Sequence, residues 1–186
     1  MYTIVASIPE NLATALTPYR EKYDPLTKLI PPNITILKPF DISQPVEEIY
    51  QHLQDVGEHQ APIKVSLAGW DVYQEKRPYL TLPLIAGQAE FISLHEHVLT
   101  GPLSPLAKQG ADYRPHIVFG RLSDPSMVDH VKKTLKFEPQ FVFRITYMEL
   151  FHRQNLDAPW QIDKRFGLKG TVASLPRQRN PVREGR

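Results

Sequence analysis

The sequence predicts an α+β fold in two similar lobes facing each other across a cleft. Three observations carry that expectation. Runs of β-branched and apolar residues alternate with amphipathic helical stretches, and the same order of elements recurs after about 80 residues. The third is punctuation: 18 prolines against nine glycines cut the chain into short elements with sharp ends. A length of 186 residues, 41% of them hydrophobic and 23% charged, suits one compact folded unit near the globular average.

Taken in order, Tyr2 to Ile8 is a β-branched, apolar run and reads as a buried strand. Pro9 then opens a helix running to about Lys22, with Leu12, Leu16 and Tyr19 at helical spacing. Asp24 to Pro32 is a proline-bounded loop, and Asn33 to Leu37 is a second strand closed by Pro39. Pro45 to Val56 repeats the helix signature with Val46, Ile49 and Leu53 on one face. Residues 62–73 alternate and make a third strand.

From Pro78 the order begins again. Tyr79 to Leu84 is a strand, and Gln88 to Leu99 a helix with Phe91, Leu94, His95 and Val98 along one side. Residues 100–112 form a Gly/Pro loop, and His116 to Gly120 is a strand entered through Pro115, as its counterpart is entered through Pro32. Pro125 to Lys136 is a helix, Gln140 to Leu150 one long alternating strand, and Trp160 to Leu168 a last strand. Aligning Tyr2 with Tyr79, Asn33 with His116 and Pro62 with Gln140 divides a single domain over 1–170 into pseudo-repeats at about 2–73 and 78–150.

Charge and composition narrow the function classes. Residues 164–186 hold seven Lys or Arg and one acidic residue, so the net +2 of the chain hides a mildly acidic folded part and a basic end. Residues 171–186 read as a flexible basic tail, and the global charge balance therefore says nothing about partners. The absence of cysteine excludes disulfides, thiolate metal sites and a cysteine nucleophile. No basic segment followed by an apolar run opens the sequence, and no stretch approaches 18 consecutive apolar residues, so a cytoplasmic protein away from membranes is expected. P-loop, Gly-rich dinucleotide, G-x-S-x-G and H-E-x-x-H patterns are missing.

The two proline-entered strands hold the informative side chains. In Asn33-Ile34-Thr35-Ile36 the polar residues share one face and the isoleucines the other. In His116-Ile117-Val118-Phe119 the phase is the same: Ile117 and Phe119 are expected to bury, and His116 and Val118 to share the opposite face. If the halves are related by a pseudo-dyad, Asn33 and Thr35 meet His116 and Val118 across one cleft. Each residue also has a structural reading. His116 is compatible with a satisfied core histidine, Asn33 with an Asx turn at a strand start, and Thr35 and Val118 with ordinary strand residues.

The segments IPPNITILKPF and YRPHIVFGRL resemble the two signature segments of the 2H phosphoesterase superfamily, which includes 2′-5′ RNA ligase-like proteins and cyclic phosphodiesterases. That family carries two proline-entered H-x-T-x motifs, one in each half of an internally duplicated fold. The likeness in element order runs from Tyr2 to about Leu168. The resemblance implies two antiparallel-rich sheets with outer helices around a central cleft. It implies, too, a phosphodiester or 2′,3′-cyclic phosphate of a nucleotide or RNA end as ligand, with no cofactor and no metal; a monomer is favoured. Thr35 and His116 match the pattern, whereas Asn33 and Val118 stand where the family has its other histidine and threonine.

In the family one histidine is the base toward the attacking water or hydroxyl, the other the acid toward the leaving oxygen, and the threonines hold phosphate oxygens. Histidine suits both roles because it titrates near neutrality, whereas the amide of Asn33 only donates or accepts hydrogen bonds. Loss of one general acid or base typically lowers turnover by about 10²- to 10⁴-fold. The expected site is therefore His116 as the single acid–base group, with Asn33 and Thr35 as phosphate donors. Tyr113, which precedes the second motif, is placed either to stack on a base or to pack in its loop. Lys38 and Arg121 follow the two motifs and would bring positive charge to the cleft mouth, although strict alternation turns them to the other face. Val118 adds no donor. Among the other histidines, His95 and His97 lie about 200° apart on a helix, and His152 beside Arg153 is the one placed to replace a lost base.

Overall fold

The computed structural model describes residues 1–74, 76–110 and 112–171; beyond Thr171 the expected basic tail lies outside the described residues. The first half supplies β1 (Tyr2–Ser7), α1 (Glu10–Tyr23), β2 (Asn33–Phe40), α2 (Val46–His59), β3 (Ile63–Ala68) and β4 (Asp71–Tyr73). The remainder supplies β5 (Tyr79–Ala86), α3 (Gln88–Val98), a 3-10 helix over Gly101–Gly110, β6 (His116–Arg121), α4 (Met127–Thr134), β7 (Gln140–Ile145), β8 (Tyr147–His152) and β9 (Gln161–Gly167).

Two expected strands are broken. The stretch 62–73 divides at Gly69, whose φ of 71° is a conformation that glycine adopts without steric cost, and β4 turns back to pair with β5. The stretch from Gln140 to Leu150 divides at Thr146, and its two parts pair in different halves of the sheet: β7 with β3, β8 with β1. The loop expected after α3 is wound into the 3-10 helix.

All strand pairings are antiparallel, and the fold is α+β. The hydrogen-bonded order is β7-β3-β5-β6-β2-β1-β8-β9, with β4 beside β5. The two lobes are thus the halves of one continuous curled path, joined where Ile34 of β2 faces Ile117 of β6. The halves also exchange strands. The third strand of the first half sits beside β5, and β8 of the second half sits beside β1.

Helix packing is exchanged in the same way, α1 lying on β6 and α3 on β2. Leu12 and Leu16 of α1 and Phe91, Leu94 and Val98 of α3 are buried, so each helix presses an apolar stripe against one face of the sheet. Tyr19 meets Phe119 edge-on and packs at 4.3 Å between ring centroids against Phe137. This covered face contains Ile34, Ile36, Ile117 and Phe119, each 1% exposed or less. By alternation, the opposite face is left for polar groups.

Candidate active site

Register decides which side chains meet. Because Ile34 pairs with Ile117 in an antiparallel ladder, Thr35 lies opposite His116 and Asn33 opposite Val118, with all of these half-buried on the face away from the helices. Cross-strand neighbours of this kind have Cβ atoms about 4.5–5.5 Å apart. The fold therefore assembles in one patch the motif positions that stand some 80 residues apart in sequence.

Hydrogen bonds then orient each group. The Nδ1–H of His116 donates to the Arg114 carbonyl at 2.6 Å, since a carbonyl only accepts. Tyr73 stacks on the same imidazole at 5.7 Å with 18° between the planes. The Asn33 amide donates to the Pro31 carbonyl at 2.9 Å, and its oxygen accepts from the Thr35 hydroxyl at 3.1 Å. The Thr35 hydroxyl is thus directed along its own strand and must rotate away from Asn33 to reach an anion. Opposite Val118 on β5 stands Thr81, whose hydroxyl donates to the Asp71 carbonyl at 3.2 Å and so does not substitute for the hydroxyl that Val118 lacks.

Tyr113 packs in its loop. Its hydroxyl donates to the Thr35 carbonyl at 2.9 Å, its ring stacks on His95 at 4.1 Å, and burial pushes its phenol well above the ordinary tyrosine range. It steadies β2 from beneath the site. His95 is itself buried, with Nδ1 on the Ile36 carbonyl at 2.7 Å, so both partners hold this strand in place. Arg121 turns away from the cleft, as alternation requires, and pairs with the buried Asp24. Lys38 is exposed on β2 beyond the site positions. His152 lies 3.9 Å from Asp163, on β8 and β9, and is not brought to His116.

The structure adds residues to the patch that sequence reasoning missed. Ser7 is the register partner of Asn33, and Val5, two residues before it, is the partner of both Thr35 and Glu149. The Glu149 side chain is fully buried. It accepts a hydrogen bond from the Ser7 hydroxyl and another from Arg165 Nε at 2.6 Å, which holds the guanidinium above its ordinary pKa. One signal for Glu149 was present: it is the lone carboxylate in the apolar strand YMELFH. Ser7 and Tyr73 had none, because both depend on which strands become neighbours. Among the described residues no group of three or more His, Cys, Asp or Glu is placed to hold a metal ion, and no helix is long and apolar enough to cross a membrane.

Comparisons with known proteins bear on the fold and the family. Two Bacillus proteins named "Putative phosphoesterase" are similar over 137 residues, 73% of this chain. The one from Bacillus licheniformis is 28% identical with 79% of its length covered, and the one from Bacillus pumilus 26% with 78%. Among solved structures, TT0787 of Thermus thermophilus superposes with a TM-score of 0.64 at 19% identity, covering 91% of this chain and 98% of its own. Escherichia coli LigT in complex with NADP+ gives 0.63 at 16%, covering 90% and 97%, and LigT in complex with phosphate gives the same score and identity, covering 90% and 96%. At these identities the superpositions establish a common fold. The sequence profile of the 2′-5′ RNA ligase superfamily matches residues 8–157, a span holding both strands of the candidate site, and the chain belongs to that superfamily.

Proposed function

We propose that the cleft binds a phosphodiester or 2′,3′-cyclic phosphate at the end of a nucleotide or RNA and hydrolyses it slowly without a metal. In this reading His116 is the single acid–base group. The observation that carries it is the Ile34–Ile117 register, which sets the His116 imidazole opposite Thr35 and beside Asn33 on one accessible face. Nδ1 is engaged by a carbonyl, so proton exchange falls to Nε2, as general base when neutral and general acid when charged. The Asn33 amide and the Thr35 hydroxyl donate to phosphate oxygens once Thr35 swings off Asn33. The complexes of LigT with phosphate and with 3′-AMP support a phosphoryl ligand for this fold.

A second reading keeps the same ligand and drops the chemistry. It is favoured by Asn33 and Val118, which leave the cleft with one titrating motif side chain and one motif hydroxyl. Turnover of a 2′,3′-cyclic nucleotide separates the two. On the catalytic reading His116→Ala lowers kcat by about 10²-fold or more, and a mutant that keeps the parent rate removes His116 from the mechanism. On the binding reading the parent is silent, and the double variant Asn33→His with Val118→Thr gains activity.

A further inference from the structure

The face that carries His116 continues onto the neighbouring strands. Pro83 of β5 lies opposite His116, and on the same side Lys64 and Ser66 of β3 lie opposite Arg144 and Val142 of β7. Lys64 and Arg144 are both exposed and directly opposite each other, two like charges in adjacent strands. Among the described residues neither forms an ion pair. Such a pairing opposes folding unless an anion neutralises it.

A cavity sets Arg144 of this pair close to β1, the strand beside Asn33. Arg144 lines a space of about 100 Å³ together with Ser7, Pro9, Thr146 and Tyr147. Ser7 is the register partner of Asn33, so one strand spacing, about 4.8 Å, separates the Asn33 strand from the wall of this cavity. The single residue Thr146 joins β7 to β8, which is how the curl of the sheet brings Arg144 round toward β1. On the same face Ile85, on β5 with Pro83, is 63% exposed and Val142, on β7 with Arg144, is 68% exposed, apolar surface beside Pro83 and beside the cations on which the flat side of a base can rest.

We infer that Lys64 and Arg144 form a second phosphate subsite. The preferred ligand then carries another phosphoryl group, one nucleoside away from the group held by Asn33, Thr35 and His116. The inference rests on the phosphodiester reading of that first site. Arg144 supplies a planar fork that matches two phosphate oxygens and Lys64 a point charge beside it. A ligand with a single phosphate leaves both unused.

The test measures binding by calorimetry, so it does not depend on turnover. Adenosine 3′-phosphate, adenosine 3′,5′-bisphosphate and a dinucleotide ending in a 3′-phosphate are titrated into the parent protein and into the double variant Lys64→Gln, Arg144→Gln. The parent should bind the bisphosphate, the dinucleotide or both about tenfold or more tighter than the monophosphate. The variant should lose that gap while keeping its affinity for the monophosphate. A gap with the bisphosphate identifies a terminal 5′-phosphate, and a gap with the dinucleotide alone identifies an internucleotide phosphate. Equal affinities in the parent, or a gap that survives in the variant, would overturn the subsite and leave the first site standing. If the parent binds none of the three, the phosphodiester reading itself fails. Because both positions are exposed, the variant should fold; with the repulsion gone its melting temperature without ligand should equal or exceed that of the parent.

Discussion

Asp24 shows how a single buried charge is made tolerable and how a residue expected at the cleft is drawn elsewhere. Its side chain has no exposed surface, and it receives Arg20 through Nε at 3.1 Å and Nη2 at 2.9 Å, the Leu26 amide at 3.0 Å, and Arg121. Arg20 is equally enclosed, its side chain 5% exposed. Asp24→Ala leaves that guanidinium buried without its counter-charge, and the expected loss is about 3–5 kcal/mol, read from urea denaturation. Arg121→Ala should cost less, because Arg20 still neutralises Asp24. The Tyr50 hydroxyl donates to Asp163 at 2.6 Å, and this bond, ahead of burial, pushes its pKa up to about 12. Between pH 10 and 12 the unfolded chain gives up the tyrosine proton and the folded chain keeps it. Stability from this bond is therefore complete below pH 10 and lost as pH rises through 12, and Tyr50→Phe should flatten that part of the stability profile. At this scale the polarity of Asn33, Thr35 and His116 was legible, since alternation within one strand is a local property. The commitments of Tyr113 to the Thr35 carbonyl and of Arg121 to Asp24 were not, because their partners stand 78 and 97 residues away.

Among the elements, α2 docks on β9 through two glycines. A Cβ at Gly57 would run into the Gly167 carbonyl, and the Gly57 carbonyl accepts from the Lys169 amide at 2.9 Å. The obstacle is backbone on both sides, so relief requires moving the helix. Gly57→Ala is expected to lose about 1–3 kcal/mol despite alanine's better helix propensity, seen as a lower urea midpoint with an unchanged slope. The helices were well marked in the sequence because each has an apolar stripe to bury, as with Ile49, Leu53 and Gly57 of α2. The break between β7 and β8 was hidden because strand alternation continues through Thr146. Only the choice of partner distinguishes the two sides: β7 is half exposed on β3, whereas the middle of β8 is buried between β1 and β9.

The whole molecule is held by exchange. β3 leaves the first half to pair with β5 and β7, and β8 returns from the second half to pair with β1 and β9, while one buried cluster runs from Ile4 to Leu168. A fragment ending at Tyr73 would keep β1 and β2 without β8, and β3 without either neighbour. Such a fragment should show no cooperative thermal transition by circular dichroism, whereas the full chain should melt in one; a cooperative fragment would contradict the coupling of the lobes. The sequence by itself determined the α-helices, their apolar faces and the polar phase of the two proline-entered strands, because these follow from the periods of 3.6 and 2.0 residues within each segment. Tertiary structure alone decided that β2 and β6 are neighbours, that Ser7 and Glu149 join Asn33, and that Arg144 curls toward β1. Those outcomes depend on how the burial of Ile34 against Ile117 and the exchange of β3 and β8 satisfy distant backbone and apolar surface together, a balance that no single stretch of residues contains.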